Sequence, residues 1–138
     1  QSQGRGSVAL MSDQSNDDNV DVIVPLAPRY ASTLRTMCAS FGVDTGFSID
    51  EIDDFKLALT EAFSMLVTQH AGQRARASFT REASALSVHV SLESGAGISV
   101  EPDELGVAIL RAVVDSYEVG TTAITLTKAA TETSTLGS

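Results

Sequence analysis

The hydrophobic positions change period along the chain, and each change marks an element. "NVDVIVPL" (19–26) alternates and is broken by Pro25 and Pro28, which predicts a first strand. "PRYASTLRTMCASF" (28–41) switches to helical spacing, with Leu34, Met37, Cys38 and Phe41 on one stripe. Pro28 suits the first helical position and Gly42 its C-terminal exit. "FSIDEIDDF" opens a second helix with a capping box, Ser48 as N-cap and Glu51 three residues on, and Phe47 and Ile52 where a hydrophobic staple needs them. The acids Asp50, Glu51, Asp53 and Asp54 favour the positive end of that helix, which runs to about Ala71 before Gly72 ends it. "RARASFTR" and "ALSVHVSLE" follow as strands, the second with Leu86, Val88, Val90 and Leu92 on one face and Ser87, His89 and Ser91 on the other. "PDELGVAILRAVVDSYEV" predicts a third helix and "TTAITLTK" a closing strand. The order predicts an α/β (α+β) two-layer sandwich: a mixed sheet of at least four strands with three helices on one face.

Composition narrows the class. With 138 residues and 43% hydrophobic content the chain is expected to form one domain with a real core, over 19–130. Residues 1–18 and 131–138 are polar and aperiodic and are expected to be flexible tails, with Met11 a candidate natural start and residues upstream of it. No apolar run is long enough for a transmembrane helix, no signal-peptide pattern opens the sequence, and Cys38 has no second cysteine to pair with. The expectation is a cytoplasmic protein. The net charge of −9 argues against direct nucleic-acid binding and favours a basic protein partner.

Candidate chemistry begins in "LALTEAFSMLVTQH" (57–70). Glu61 and Met65 are four apart, so an acid and a thioether share one face of an otherwise apolar helix. Further on, "LESGAGI" (92–98) places two glycines after an acid at a strand end: either a plain turn, or a backbone thinned for a flat ligand with Glu93 as acceptor. "ELGVAIL" (104–110) puts a glycine at a helix start, either a simple helix opening or a phosphate-holding N-terminus. Cys38, on an apolar stripe, reads as a core thiol rather than a redox sensor. His89 reads as a solvated strand residue, His70 as a helix C-terminal cap, and no two of these have metal-ligand spacing.

The order of these pieces is more specific than any one of them. "TEAFSMLV", then a hairpin ending in "ESGAG", then "ELGVAILRAVVDSYEV" and a last strand resembles the GHKL (Bergerat-fold) ATPase superfamily. Within it the chain is similar to the bacterial anti-sigma factor and serine-protein kinase family, whose motifs read E-A-x-x-N-A-V-x-H, D-x-G-x-G and G-x-G-L followed by I-I-R-A-L-V-D. The likeness covers about residues 19–130, and "AILRAVVD" follows the last pattern closely.

The resemblance implies roles position by position. Glu61 matches the glutamate that polarises an acceptor hydroxyl or a water. Met65 stands where the magnesium-binding asparagine belongs, and Gln69 stands at the motif's histidine, with His70 one place later. Glu93 stands where an aspartate accepts the adenine amino group; Gly95, Gly97 and Gly106 match, while Glu104 replaces a glycine. Magnesium demands hard oxygen ligands, which a thioether is not, and Glu104 brings negative charge toward triphosphate oxygens. The expected cofactor behaviour is weak binding of ATP or ADP at most, without magnesium. Only Ile98 to Leu105 separates the glycine motifs, so the lid is short. The alternative is that Glu61 is a partly exposed helix acid without duty and Met65 core filler. Arg35, just off the first helix's stripe, corresponds to the arginine that meets the sigma factor in the family, or is an ordinary surface arginine.

Three functions follow from this resemblance as expectations. The first is an anti-sigma factor that sequesters an alternative, stress-response type sigma factor and is released by an anti-anti-sigma antagonist. The second is an active ATP-dependent serine-protein kinase acting on that antagonist, which Met65 and Glu104 weigh against. The third is a catalytically dead dimerisation or scaffold module. A homodimer is the assembly that the resemblance implies.

Overall fold

The computed structural model describes residues 18–131. The expected tails therefore fall outside the described residues, except for their inner ends, Asp18 and Thr131. The elements are β1 (Asp18–Pro25), a 3-10 turn (Pro28–Tyr30), α1 (Ala31–Thr45), α2 (Ile49–His70), β2 (Arg74–Glu82), β3 (Ala85–Leu92), α3 (Glu104–Val113), β4 (Ser116–Val119) and β5 (Ala123–Ala129). The five strands form one sheet in the order β1-β2-β3-β5-β4. Each adjacent pair is antiparallel, so β3 and β4 run parallel to one another with β5 inserted between them. This is the expected two-layer α+β architecture, with antiparallel pairing throughout where a mixed sheet was expected.

One face of the sheet carries Ala75, Ala77, Phe79, Leu86, Val88, Val90, Ile124 and Leu126, all at most 1% exposed. It packs with Leu34 and Cys38 of α1, Phe55, Leu59, Phe63 and Leu66 of α2, and Leu110 of α3 in a single core. The opposite face carries Ser78, Ser87, His89, Thr125 and Thr127, and among the described residues no helix lies over it. There the hydroxyls and His89 bond across the strands, Ser87 with Thr127 at 3.0 Å and His89 Nδ1 with Thr125 at 2.9 Å. The alternation in β3 is what divides core from polar face.

Two boundaries differ from the sequence reading. Gly42 does not end α1: the helix continues to Thr45 and closes on Gly46, whose φ of 94° is left-handed. Gly42 is instead a contact point, since a Cβ there would lie 2.8 Å from Ile52 Cγ1 and 3.2 Å from Phe47 Cδ2. Its missing side chain lets the start of α2 close onto α1. The third helix, in turn, stops at Val113 rather than running through Val119. Asp115 hooks the chain onto β5, its N–H donating to the Thr127 carbonyl at 3.0 Å and its carboxylate accepting from the Ala129 N–H at 2.8 Å. Ser116–Val119 then pairs with Ile124–Thr127 as an edge strand. Helical spacing had hidden the alternation of Tyr117 and Val119.

The capping box of α2 is present in both directions. Ser48 Oγ accepts from the Glu51 N–H at 3.1 Å, and the Ser48 N–H donates to Glu51 Oε1 at 2.8 Å. Glu51 is only 8% exposed, and its other oxygen accepts from the N–H of Thr131, just past β5, at 3.0 Å. One carboxylate thus joins the start of α2 to the end of the sheet. Burial pushes this carboxyl up, but the hydrogen bonds from Ser48 and Thr131 together outweigh it and hold it below its ordinary 4.5.

Candidate functional site

α2 buries Ala58, Leu59, Ala62, Phe63, Met65 and Leu66. That leaves Glu61 half-buried at the edge of the apolar face, turned toward α3. The start of α3 is capped by Asp103, whose Oδ1 accepts from the Gly106 N–H at 2.7 Å. Around Gly106 the expected residues meet: a Cβ there would lie 2.9 Å from Glu61 Oε2, 3.0 Å from Asp103 Oδ1 and 3.2 Å from Met65 Cε. Glu61, Met65 and Gly106, separated by up to 45 positions in the chain, form one cluster. The geometry gives the acid a physical reason. Glu61 aims at the positive N-terminal end of α3, and the glycine leaves room for its carboxylate.

Beside this cluster lies a cleft of about 170 Å³. Glu61, Ser64, Met65, Thr68 and Gln69 form its α2 wall, and Glu101, Pro102 and Asp103 its opposite wall. Three carboxylates therefore line it, and no lysine or arginine does. Asp103 was not singled out in the sequence; the pattern acid, two residues, glycine at a helix start was the signal for it.

These residues do not fit a magnesium-bound triphosphate. Met65 offers sulfur where a hard oxygen ligand is needed. The Gly106 amide, which a phosphate would use at a helix N-terminus, is taken by Asp103. Glu104 opens α3 with a further negative charge. Among the described residues no group of three His, Cys, Asp or Glu side chains could hold a metal ion.

The first glycine segment is placed elsewhere. Glu93 follows β3 and is gripped by Arg74, with Nε 3.0 Å from Oε1. It is outside the cleft lining, although an exposed ion pair of this kind costs little to break. Gly95 has a left-handed φ of 83°, and its N–H closes a turn on the Leu92 carbonyl at 2.9 Å. A Cβ on Gly97 would come 3.2 Å from the Thr121 carbonyl, so this glycine admits the β4–β5 turn. The two glycines thus have local structural duties, and none of Glu93, Gly95 and Gly97 is in the lining of the cleft at Glu61.

Arg35 lies across α1 on α2, its guanidinium 3.4 Å from Thr60 Oγ1. It is half-buried and makes no ion pair within 4.0 Å among the described residues. Cys38 is 1% exposed, and burial pushes its thiol up to about 12, against a smaller lowering by Lys56. It is a core thiol, inert as a nucleophile. His89 is exposed on the open sheet face, as the sequence implied; His70 ends α2, but its ring meets Ser99 and Gln73 instead of capping the helix.

The chain thus has a two-layer arrangement, with a split crossover through α3 and a cleft between α2 and the start of α3. No family model matches the chain. Over 58 residues it is 34% identical to the serine-protein kinase RsbW of Bacillus subtilis, a match that covers 42% of this chain and 36% of that protein. A crystal structure of the RsbU and RsbW domains of Rv1364c from Mycobacterium tuberculosis superposes with a TM-score of 0.57 at 15% identity, covering 82% of this chain and 32% of that one. The chain thus spans about a third of each of these relatives. The resemblance to the GHKL anti-sigma factor and serine kinase family stands, on local sequence from the first relative and on fold from the second. Among the described residues no helix is long and apolar enough to cross a membrane.

Proposed function

We propose that this chain is an anti-sigma factor that holds an alternative sigma factor by direct, stoichiometric binding in the cytoplasm. An anti-anti-sigma antagonist releases it, and its own nucleotide site is altered. The observation that carries this reading is the cluster at Gly106. Glu61, Met65 and Gly106 meet beside a cleft, and the Met65 sulfur, the Asp103 carboxylate on the Gly106 amide and the charge of Glu104 support a site ill suited to a magnesium-bound triphosphate. The net charge of −9 supports a basic protein surface as the partner and not nucleic acid. A homodimer, as in the family pattern, belongs to the same reading. A second reading, an active serine-protein kinase, is favoured by the name of the Bacillus relative. In it Glu61 would polarise the acceptor hydroxyl, and Glu93, once freed from Arg74, would accept from adenine.

Arg35 is the residue proposed to meet the sigma factor. Among the described residues it forms no ion pair, and its half-buried side chain reaches Thr60 of α2. Arg35→Glu is expected to weaken binding to the sigma factor roughly tenfold or more, as loss of one charged contact with introduced repulsion implies. The unfolding midpoint is expected to stay within a few degrees. Affinity within twofold of the unmodified chain, by surface plasmon resonance, would take Arg35 out of the interface.

A further inference from the structure

The segment between Glu93 and Asp103 joins the two glycine-bearing stretches and forms one wall of the cleft. It is held from two sides. The Ile98 N–H donates to the Thr121 carbonyl in the β4–β5 turn at 2.9 Å. The next amide, Ser99 N–H, donates to Nε2 of His70, the last residue of α2, at 3.0 Å. Ile98 and Val100 pack against the core, while Ser99 itself is exposed. His70 is the neighbour of Gln69, which lines the cleft, so the two consecutive side chains at the end of α2 serve the cleft and the segment that closes it.

The imidazole can accept at Nε2 only when that nitrogen carries no proton, which in the neutral ring places the proton on Nδ1. The Gln73 amide nitrogen lies 3.4 Å from Nδ1, and a half-turn of that exposed amide exchanges its nitrogen for its oxygen and gives the Nδ1 proton an acceptor. One tautomer then satisfies both ring nitrogens. A ring that donates at Nε2 would set N–H against N–H and expel the Ser99 amide.

We propose that His70 is a latch: a positioning residue whose neutral ring holds the 94–103 segment shut beside Met65 and so sets access to the cleft. It deepens the reading of that cleft as an altered nucleotide site, but the latch itself is a statement about the loop. Thiol labelling tests it in the whole chain. Met65 is 8% exposed in the cleft wall, so Met65→Cys turns this position into a reporter, while the buried Cys38 thiol stays silent. In that background His70→Leu is expected to speed labelling by a small aromatic disulfide roughly three- to tenfold, the size of one lost hydrogen bond. His70→Gln, whose side-chain oxygen reaches to where Nε2 sits, is expected to restore the slow rate. Amide exchange should accelerate at Ser99 and its neighbours in the Leu variant and not in the Gln variant. Equal labelling with His70 and Leu overturns the latch. So does equal acceleration in the Leu and Gln variants, or acceleration spread through β2 and β3, because each means lost packing and not a lost acceptor. A titration of the same variants with ADP tests the nucleotide reading separately, and its failure counts against that reading alone.

Discussion

Titration calorimetry with Mg-ATP is expected to show no micromolar binding to the unmodified chain and clear binding to a Met65→Asn, Glu104→Gly double variant. The asparagine restores an oxygen ligand on the α2 face that meets α3. The glycine removes a carboxylate from the first turn of α3, where a phosphate would sit. Each change is worth about 1.5–3 kcal/mol if it restores or unblocks one charge-assisted contact. If the two add, affinity rises roughly 100-fold or more. Asp103 sets the limit of the recovery, because its side chain still holds the Gly106 amide. Adding Asp103→Ser keeps an N-cap while removing the charge, and is expected to raise affinity further. Micromolar Mg-ATP binding by the unmodified chain contradicts the altered site. Binding by none of the variants means that the cleft is not a nucleotide site that has lost its ligands.

Replacement of Glu51 is expected to have the largest effect on stability. Its carboxylate accepts from the Ser48 and Thr131 amides in a nearly dry corner. Glu51→Ala leaves both amides without this acceptor and should cost about 2–4 kcal/mol in urea unfolding, with Glu51→Gln costing less. The pH dependence has a definite sign. The folded-state carboxyl lies below its ordinary 4.5, so the contribution is complete above that value and is lost as pH falls through the lower folded value. The stability gap between the unmodified chain and Glu51→Gln should therefore be widest near neutrality and narrow in acid. A gap that is constant across this range would show that the charge of Glu51 is not what holds α2 to the end of β5.

The sequence made the capping box of α2 and the two faces of β3 legible because both are local. Ser48 and Glu51 are three residues apart, and alternation needs only neighbours. Gly42 and Gly46 were harder to tell apart. Both suit the end of a helix, and only the approach of Ile52 and Phe47 decides that Gly42 packs while Gly46 turns the chain. β4 was missed for a related reason. Ser116–Val119 is short and sits at the sheet edge, and its partner strand comes later in the chain. At the site, Glu61, Met65 and Gly106 were recognisable from motif spacing and do meet. Motif spacing could not show that Arg74 would grip Glu93, or that Asp103 would take the amide left open for a phosphate. Both depend on contacts made after folding.

Partner binding without a nucleotide is the central claim, and capture of the tagged chain from its native host in magnesium- and ATP-free buffer tests it most directly. The account predicts a sigma factor, identified by mass spectrometry, retained in near-stoichiometric amount and unaffected by added Mg-ATP. Capture that requires Mg-ATP, or transfer of its terminal phosphate to a serine of a co-captured antagonist, would contradict it.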